Sequence, residues 1–253
     1  MRLFCCVCSP RSGSTLLTRM LNSHSKIAAP YEIPVAKLFF GTDTENLSLD
    51  KTIQISQLLK IDVSRAVSEP GFLFQEILKA EGKDGLVVKE PANALHLPRL
   101  RISLGDVPLI WIARDVRQVM QSKALKSSKI NLSGAASLWL RHNREINKYR
   151  RLFSKVLLVR YEELVEQPEK LLERTVGWMG YQYEPGMEEY WNFEHSDNKL
   201  SLWDGREPEK STWAKEIGEG KINKNYKEPS EEVLKIYEGS PALKAMNERL
   251  GYK

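Results

Sequence analysis

Cysteine is scarce in this chain of 253 residues, and its placement excludes two kinds of site. The only three cysteines are Cys5, Cys6 and Cys8. Cys5 and Cys6 are adjacent, so in a strand their side chains point to opposite faces and are poorly placed to form a disulfide. Clustered cysteines without later cysteine or paired histidine are not a zinc-binding pattern. We therefore expect three reduced thiols packed in a strand, and no metal site.

Long apolar runs and long basic runs are also missing. No apolar stretch reaches the roughly 20 residues that a membrane-spanning helix needs. The first residues already predict a strand and a loop, which leaves no room for a signal peptide, so we expect a protein of the reducing cytoplasm. The chain has 38 Lys and Arg against 33 Asp and Glu, a net charge of +5. Without a run of five or more basic residues, this mild excess favours small anionic ligands and gives no indication of nucleic acid binding.

The composition is otherwise that of a globular protein. Hydrophobic residues make up 42% of the chain and charged residues 28%, which are ordinary fractions for a folded domain. The length is sufficient for a sizeable core, and we find no internal repeat or low-complexity tract. We expect residues 1–253 to form a single domain.

The first 21 residues predict a strand, a tight loop and a helix. Residues 3–8 are apolar, residues 9–15 read S-P-R-S-G-S-T, and residues 16–21 repeat apolar side chains at helical spacing. A loop that opens a helix directs backbone N–H groups to one point, where the helix dipole adds positive potential. We expect an anion to bind there, with the hydroxyls of Ser14 and Thr15 as further donors.

This loop differs from the phosphate loop of nucleoside triphosphatases, G-x-x-x-x-G-K-[ST]. When the two are aligned on Gly13 and Thr15, Cys8 replaces the first glycine and Ser14 replaces the lysine. The cation is Arg11, inside the loop. The sequence thus predicts a phosphate site without the lysine that reaches the β- and γ-phosphates. A P-loop kinase stays an alternative, although it would also need a carboxylate for Mg²⁺.

The rest of the chain alternates strands with helices. We predict strands at 86–89, 108–113 and 156–160, and helices at 94–104, 116–126, 135–153, 168–179 and 230–250, with interrupted helix over 35–80 broken at Gly41, Pro70 and Gly71. This alternation predicts a parallel sheet with helices on both faces, a three-layer α/β sandwich. Ligands of such sheets bind at the carboxyl ends of the strands, where Lys89, Arg114 and Tyr161 follow. Periodicity fades from 185 to 228, which we interpret as a ligand-covering loop.

A second anion contact is predicted after the strand at 108–113. Arg114 ends that strand, and Ser122 lies eight residues later, two turns into the predicted helix. An arginine offers a two-pronged contact to phosphate. The alternative is that Arg114 pairs with the neighbouring Asp115 and that Ser122 is merely solvated.

These motifs together resemble the sulfotransferase family. The run P-R-S-G-S-T-L-L at 10–17 resembles its 5′-phosphosulfate loop, and Arg114-x7-Ser122 resembles its 3′-phosphate motif. Tyr161 opens a segment similar to the one whose tyrosine contacts the adenine. The K-E-P at 89–91 resembles the Lys-Asp-Pro of tyrosylprotein sulfotransferases. The resemblance runs from about residue 3 to 182 and returns weakly at 211–213.

The resemblance implies a P-loop-like fold, a donor and a reaction. The donor would be 3′-phosphoadenosine 5′-phosphosulfate and the product adenosine 3′,5′-bisphosphate, with direct in-line transfer to a hydroxyl or amine and no metal. The implied donor-binding residues are Arg11, Ser12, Gly13, Ser14, Thr15, Arg114, Ser122, Tyr161 and Ser211. The acceptor stays open between a small molecule, a carbohydrate and a peptide. A nucleotide-binding member of the family without catalytic activity is a further alternative.

The resemblance also suggests catalytic residues. Arg11 and Lys89 would stabilise the charge that develops on the leaving phosphate and the sulfuryl oxygens. Cytosolic sulfotransferases carry their basic histidine two residues after a strand-end lysine, where this chain has Pro91. Tyrosylprotein and some bacterial sulfotransferases use a glutamate after the first helix, which points to Glu32 as the base. His24 is the other candidate, although a histidine at a helix end more often caps the helix or packs against it.

Overall fold

Five parallel strands form one sheet in the computed structural model, which describes residues 1–30, 53, 56, 57, 59–122, 129–193, 222 and 226–253. The strands are β1 Arg2–Cys8, β2 Ile27–Ala28, β3 Gly85–Lys89, β4 Leu109–Ala113 and β5 Val156–Arg160. Their order across the sheet is β2-β3-β1-β4-β5, with every pair parallel. The predicted parallel α/β sheet is confirmed. The short edge strand β2 joins the four predicted strands.

Helices connect these strands and follow the last one. In the described residues they are α1 Ser14–Asn22, α2 Val63–Ser68, α3 Pro70–Glu81, α4 Leu97–Leu104, α5 Val116–Met120, α6 Leu132–Tyr149, α7 Tyr161–Glu166, α8 Pro168–Met179, α9 Glu231–Glu238 and α10 Pro241–Arg249. Short 3₁₀ turns lie at Pro91–Leu95, Arg150–Leu152 and Tyr190–Asn192.

Apolar side chains cover both faces of the sheet. Along β1, Cys5 packs into one core layer together with Trp139 of α6, whereas Cys6 packs into the other together with Leu17 of α1. The alternation of side chains along a strand produces this division. All three cysteines are buried and none forms a disulfide, as predicted. Burial raises the pKa of Cys5 and Cys6, so both thiols stay protonated and unreactive.

Several helix boundaries differ from the prediction. The predicted interruption at Pro70 is confirmed, because α2 ends at Ser68, Glu69 is extended and α3 begins at Pro70, whereas Gly71 lies inside the first turn of α3 and does not break it. The predicted helix at 116–126 is described only as α5, which ends at Met120, so Ser122 lies beyond this helix and not two turns inside it. By contrast α8 starts at Pro168 and ends before Gly180, whose φ of 83° stops the helix as predicted.

The strand order places the switch point of the fold between β1 and β4. The chain builds β2 and β3 on one side of β1, then crosses to build β4 and β5 on the other side. Two crossovers therefore diverge at the carboxyl ends of β1 and β4 and leave a crevice there. Cys8 is in register with Ile112, so the loop after β1 and the loop after β4 leave the sheet side by side.

Among the helices of the described residues, none is both long and apolar enough to cross a membrane.

Candidate functional site

The loop after β1 has a backbone that is shaped for close approach by a ligand. Arg11 and Gly13 both adopt left-handed conformations, with φ of 68° and 88°. The buried hydroxyls of Ser9 and Ser12 lie 2.7 Å apart and fasten the loop across its base. Gly13 is the N-cap of α1 and offers no side chain to the first N–H groups of the helix. Those donors and the dipole of α1 are thus available to an anion.

Gly13 is also required by its neighbour, Tyr161. A Cβ added to Gly13 would lie 2.1 Å from Cδ2 of the tyrosine ring. Glycine at this position therefore permits both the positive φ and the contact with the ring. Tyr161 is the first residue of α7, at the carboxyl end of β5, so this contact places the residue after β5 against the loop after β1.

Arg114 also contacts the ring of Tyr161. Its guanidinium carbon lies 4.2 Å from the centroid of the Tyr161 ring, a cation–π distance. The indole nitrogen of Trp139 donates to the backbone oxygen of Arg114 at 2.9 Å. The buried Nε of Arg114 has no hydrogen-bond partner among the described residues. A buried donor without an acceptor is costly, and a bound anion would satisfy it.

Asp115 does not neutralise Arg114, although the sequence left that pairing open. The carboxylate of Asp115 is held by Arg117, whose Nη2 lies 2.6 Å from Oδ2 and whose Nε lies 3.0 Å from each oxygen. Arg114 forms no ion pair within the part of the chain that the structure describes. Arg117 thus holds the carboxylate that directly follows Arg114 in the sequence.

Ser122 contacts the phosphate loop, although it lies 111 residues after Arg11 in the sequence. Nε of Arg11 donates to its hydroxyl at 3.2 Å. The charges of both Arg11 and Arg114 lower the pKa of Tyr161, although burial is the larger influence and raises it, so the phenol is neutral near pH 7. The structure therefore brings Arg11, Ser122, Arg114 and Tyr161 to the same crevice, as the two motifs predicted together.

Lys89 ends β3 and is fully buried, at 0% exposure. It is in register with Cys6 of β1, and its charge opposes the burial that raises the pKa of the Cys6 thiol. Lys89 therefore does not reach solvent, although it lies at the end of a strand. The next residue, Glu90, accepts from the backbone N–H of Ala92 at 3.2 Å and begins the 3₁₀ turn that redirects the chain.

His24 lies away from the crevice and both of its ring nitrogens are engaged. Nδ1 accepts from the backbone N–H of Lys26 at 3.0 Å, and Nε2 donates to the backbone oxygen of Gln182 at 2.9 Å. The ring packs edge-on against Tyr181, with centroids 5.4 Å apart. Because the acceptor nitrogen already accepts a hydrogen bond from Lys26, His24 is poorly placed to act as the base.

Two predicted residues, Glu32 and Ser211, lie outside the described residues, as do Trp203 and Trp213. The described chain reaches Pro30, after the N–H of Ala29 donates to the side chain of Asn22 at 2.8 Å. Since β2 runs parallel to β3, the chain leaves β2 toward the sheet edge at which Lys89 lies.

Several residues that surround the site were not predicted. Glu162 accepts from the backbone N–H of Asp115 at 3.3 Å and from the Tyr252 hydroxyl at 2.7 Å. Asn247 accepts from the N–H of Val116 at 3.2 Å. In the sequence, only the position of Glu162 next to Tyr161 gives a signal, because the contacts of Asn247 and Tyr252 span about a hundred residues.

The sequence profile of the sulfotransferase family matches residues 4–185, which contain the loop, Lys89, Arg114, Ser122 and Tyr161. The chain belongs to the sulfotransferase family. It is also 24% identical, over 193 residues, to a protein of Caenorhabditis briggsae named "Putative protein-tyrosine sulfotransferase". That match covers 70% of this chain and 65% of the relative, so the chain spans less than two thirds of the relative's length.

Solved structures support the same fold. The sulfotransferase domain from the curacin biosynthetic pathway aligns with a TM-score of 0.69 and 17% identity, over 100% of this chain and 98% of that one. The sulfotransferase domain of the Synechococcus PCC 7002 olefin synthase aligns with a TM-score of 0.62 and 17% identity, over 94% of each chain. These likenesses confirm the predicted P-loop-like fold, and the sequence profile confirms the predicted family.

Proposed function

We propose that this protein transfers a sulfuryl group from 3′-phosphoadenosine 5′-phosphosulfate to a hydroxyl or amine of an acceptor. The observation that carries the proposal is Arg114, which stacks on Tyr161 beside the phosphate loop with its buried Nε unsatisfied by the described residues. An anion at that point, separate from the helix N-terminus, is what the 3′-phosphate of this donor supplies. Membership of the sulfotransferase family supports the same assignment.

The donor has two anionic groups, and the crevice has two places that suit them. We assign the 5′-phosphosulfate to Arg11, Ser12, Gly13, Ser14 and Thr15, because the loop and the start of α1 present backbone N–H groups there.

The 3′-phosphate is assigned to Arg114 and Ser122, and the adenine side of the nucleotide to Tyr161. Ser211 is a further donor contact implied by the family resemblance.

The chemistry requires a nucleophile aligned in line, stabilisation of charge and a base. The acceptor oxygen forms a bond to sulfur while the bond from sulfur to the phosphate oxygen breaks, and adenosine 3′,5′-bisphosphate leaves. Arg11 and Lys89 stabilise the charge on the leaving phosphate and the sulfuryl oxygens. Glu32 accepts the proton of the acceptor hydroxyl. No metal takes part in this scheme.

A peptide tyrosine is the first acceptor to examine. The relative from C. briggsae carries the name of a protein-tyrosine sulfotransferase, and a phenol loses its proton more readily than an aliphatic alcohol does. Small-molecule alcohols and carbohydrates form the other arms of the comparison.

The proposal is tested by incubating the full chain with the donor and each acceptor class. We expect release of adenosine 3′,5′-bisphosphate in step with formation of a sulfated acceptor. Lys89→Met, which keeps the length of a buried side chain without its charge, should bind the bisphosphate and lose turnover. Phosphorylation of an acceptor by ATP with Mg²⁺, and no sulfuryl transfer to any acceptor, would instead establish a kinase.

A further inference from the structure

The helical hairpin of α9 and α10 and the residues after it contact the two segments that carry Arg114 and Tyr161. Asn247, Gly251, Tyr252 and Lys253 contact residues 115–117 and 160–162, which directly follow Arg114 or surround Tyr161. The sulfotransferase family profile ends at residue 185, so this segment lies outside the part of the chain that the family match explains.

Glu162 is the centre of these contacts. One carboxylate oxygen accepts from the N–H of Asp115 at 3.3 Å, and the other accepts from the hydroxyl of Tyr252 at 2.7 Å. The carboxylate thus connects the residue after Arg114 to the residue after Tyr161. Burial raises the pKa of Glu162, and the Tyr252 hydroxyl and the charge of Arg114 are among the influences that lower it. Arg114 is therefore close enough for its charge to favour the ionised carboxylate, although it is the smallest of these influences on the pKa of Glu162.

Asn247 strengthens the same connection from α10. It is fully buried, its Oδ1 accepts from the N–H of Val116 at 3.2 Å, and its Nδ2 lies 3.4 Å from Oδ1 of Asp115. Arg117, which neutralises Asp115, donates to the backbone oxygen of Lys253 at 2.5 Å. The turn that carries Arg114 is consequently fixed on its outer side by residues 247–253.

We propose that Tyr252 is a positioning residue which, through Glu162, holds Arg114 and Tyr161 in the relative placement that selects a 3′-phosphate. Tyr252 itself does not touch the donor. The inference rests on the proposed function, because it assumes that Arg114 binds this phosphate. Without the hydroxyl, the Glu162 oxygen loses a donor and is free to move toward the cation of Arg114. Arg114 is then partly neutralised by Glu162 and binds the phosphate less tightly.

The test uses Tyr252→Phe, which keeps the ring and removes the hydroxyl. Dissociation constants of adenosine 3′,5′-bisphosphate and AMP are measured by calorimetry on the full chain. We expect the bisphosphate affinity to fall about 5- to 30-fold, the factor that corresponds to one or two kcal/mol, while AMP affinity changes less than about twofold. In an Arg114→Ala background the same substitution should have no further effect on the bisphosphate, because coupled residues are not additive.

The matched control is Tyr181→Phe, which also removes a hydroxyl that donates to a carboxylate, Asp84 at 2.8 Å, but at the opposite edge of the sheet. It should leave both affinities unchanged. Unchanged bisphosphate affinity in Tyr252→Phe, or an equal loss for both ligands, would overturn the positioning role. A wild-type chain that binds AMP and the bisphosphate equally well would instead overturn the proposed function, before any variant is compared.

Discussion

Arg2 and Arg114 both stack on a tyrosine ring. Arg2 lies where the strands begin, which we call the amino edge of the sheet, and Arg114 lies where they end, the carboxyl edge. Arg2 starts β1, and its guanidinium lies 4.9 Å from the ring of Tyr181 and donates to the backbone oxygen of Gly180 at 2.8 Å. The Tyr181 hydroxyl in turn donates to Asp84 at 2.8 Å. Arg114 follows β4 and lies 4.2 Å from Tyr161, yet its buried Nε has no acceptor among the described residues.

The difference between these clusters separates a structural role from a binding role. At the amino edge, the cation, ring and carboxylate satisfy one another, so the cluster fastens α8 to the start of the sheet. At the carboxyl edge, Arg117 pairs with Asp115, and the buried Nε of Arg114 is available to the anion that we propose binds there. Unsatisfied charge at the switch point of a parallel sheet is characteristic of a ligand site.

Of the two candidate bases, His24 lies among the described residues and Glu32 does not. His24 packs against Tyr181 at the amino edge, whereas the chain that leads to Glu32 leaves β2 toward the carboxyl edge. Glu32→Gln keeps the shape of the side chain but cannot accept a proton. Turnover on a genuine acceptor should fall about 10²- to 10⁴-fold, with donor affinity unchanged.

His24→Ala is the control for that prediction. It should lower stability by about 1–3 kcal/mol, because it removes a buried ring together with its two hydrogen bonds, and the folded fraction should keep its turnover. Near-full activity of Glu32→Gln, with loss of activity in a folded His24→Ala variant, would assign the base to His24.

Gly13→Ala should have the next largest effect. The new Cβ would lie 2.1 Å from the Tyr161 ring at a φ of +88°, so the loop or the ring must move. We expect a loss of about 1–3 kcal/mol in stability and a fall of at least tenfold in bisphosphate affinity, measured by thermal unfolding and calorimetry. Gly82→Ala separates strain from contact, because Gly82 also has a positive φ, +65°, but nothing lies within 4 Å of its Cβ. That variant should lose stability alone, and a similar loss of affinity in both would refute the contact with Tyr161 as the cause.

Tyr181→Phe should affect only stability. Removing the hydroxyl that donates to Asp84 should cost about 0.5–1.5 kcal/mol in the free energy of unfolding, measured by urea titration. Turnover and bisphosphate affinity should stay at the wild-type values. A selective loss of donor affinity would mean that the amino edge is not purely structural.

The smallest expected effect is that of a chelator. If cations of the chain supply all of the charge stabilisation, EDTA should leave sulfuryl transfer unchanged in a continuous assay of bisphosphate release. Restoration of lost activity by Mg²⁺ alone would contradict that scheme and favour the chemistry of a P-loop kinase.

Local sequence patterns predicted the parts of this fold that depend on local physics. Buried parallel strands are continuous apolar runs, and α8 is bounded by Pro168 and Gly180, so both were readable. The phosphate loop could be predicted because its backbone conformation favours glycine at position 13. The sequence did not predict the edge strand β2, because a strand of two residues shows no periodicity of apolar side chains.

The surroundings of Arg114 could not be predicted from local pattern. Which arginine holds Asp115 depends on the turn geometry that places Arg117 beside it. The support from Asn247 and Tyr252 depends on packing between segments 90 to 132 residues apart. Sequence spacing indicated that Arg114 and Ser122 act together, but not that Ser122 would contact Arg11 of the loop.

The most direct test of the two-anion site compares adenosine 3′,5′-bisphosphate with AMP in the wild type, Arg114→Ala and Arg2→Ala. We predict that the wild type and Arg2→Ala prefer the bisphosphate. Arg114→Ala should lose about 1.5–3 kcal/mol of that preference, the contribution of a charge-assisted contact. Equal affinity of the wild type for both nucleotides, or an undiminished preference in Arg114→Ala, would contradict the assignment of Arg114 to the 3′-phosphate.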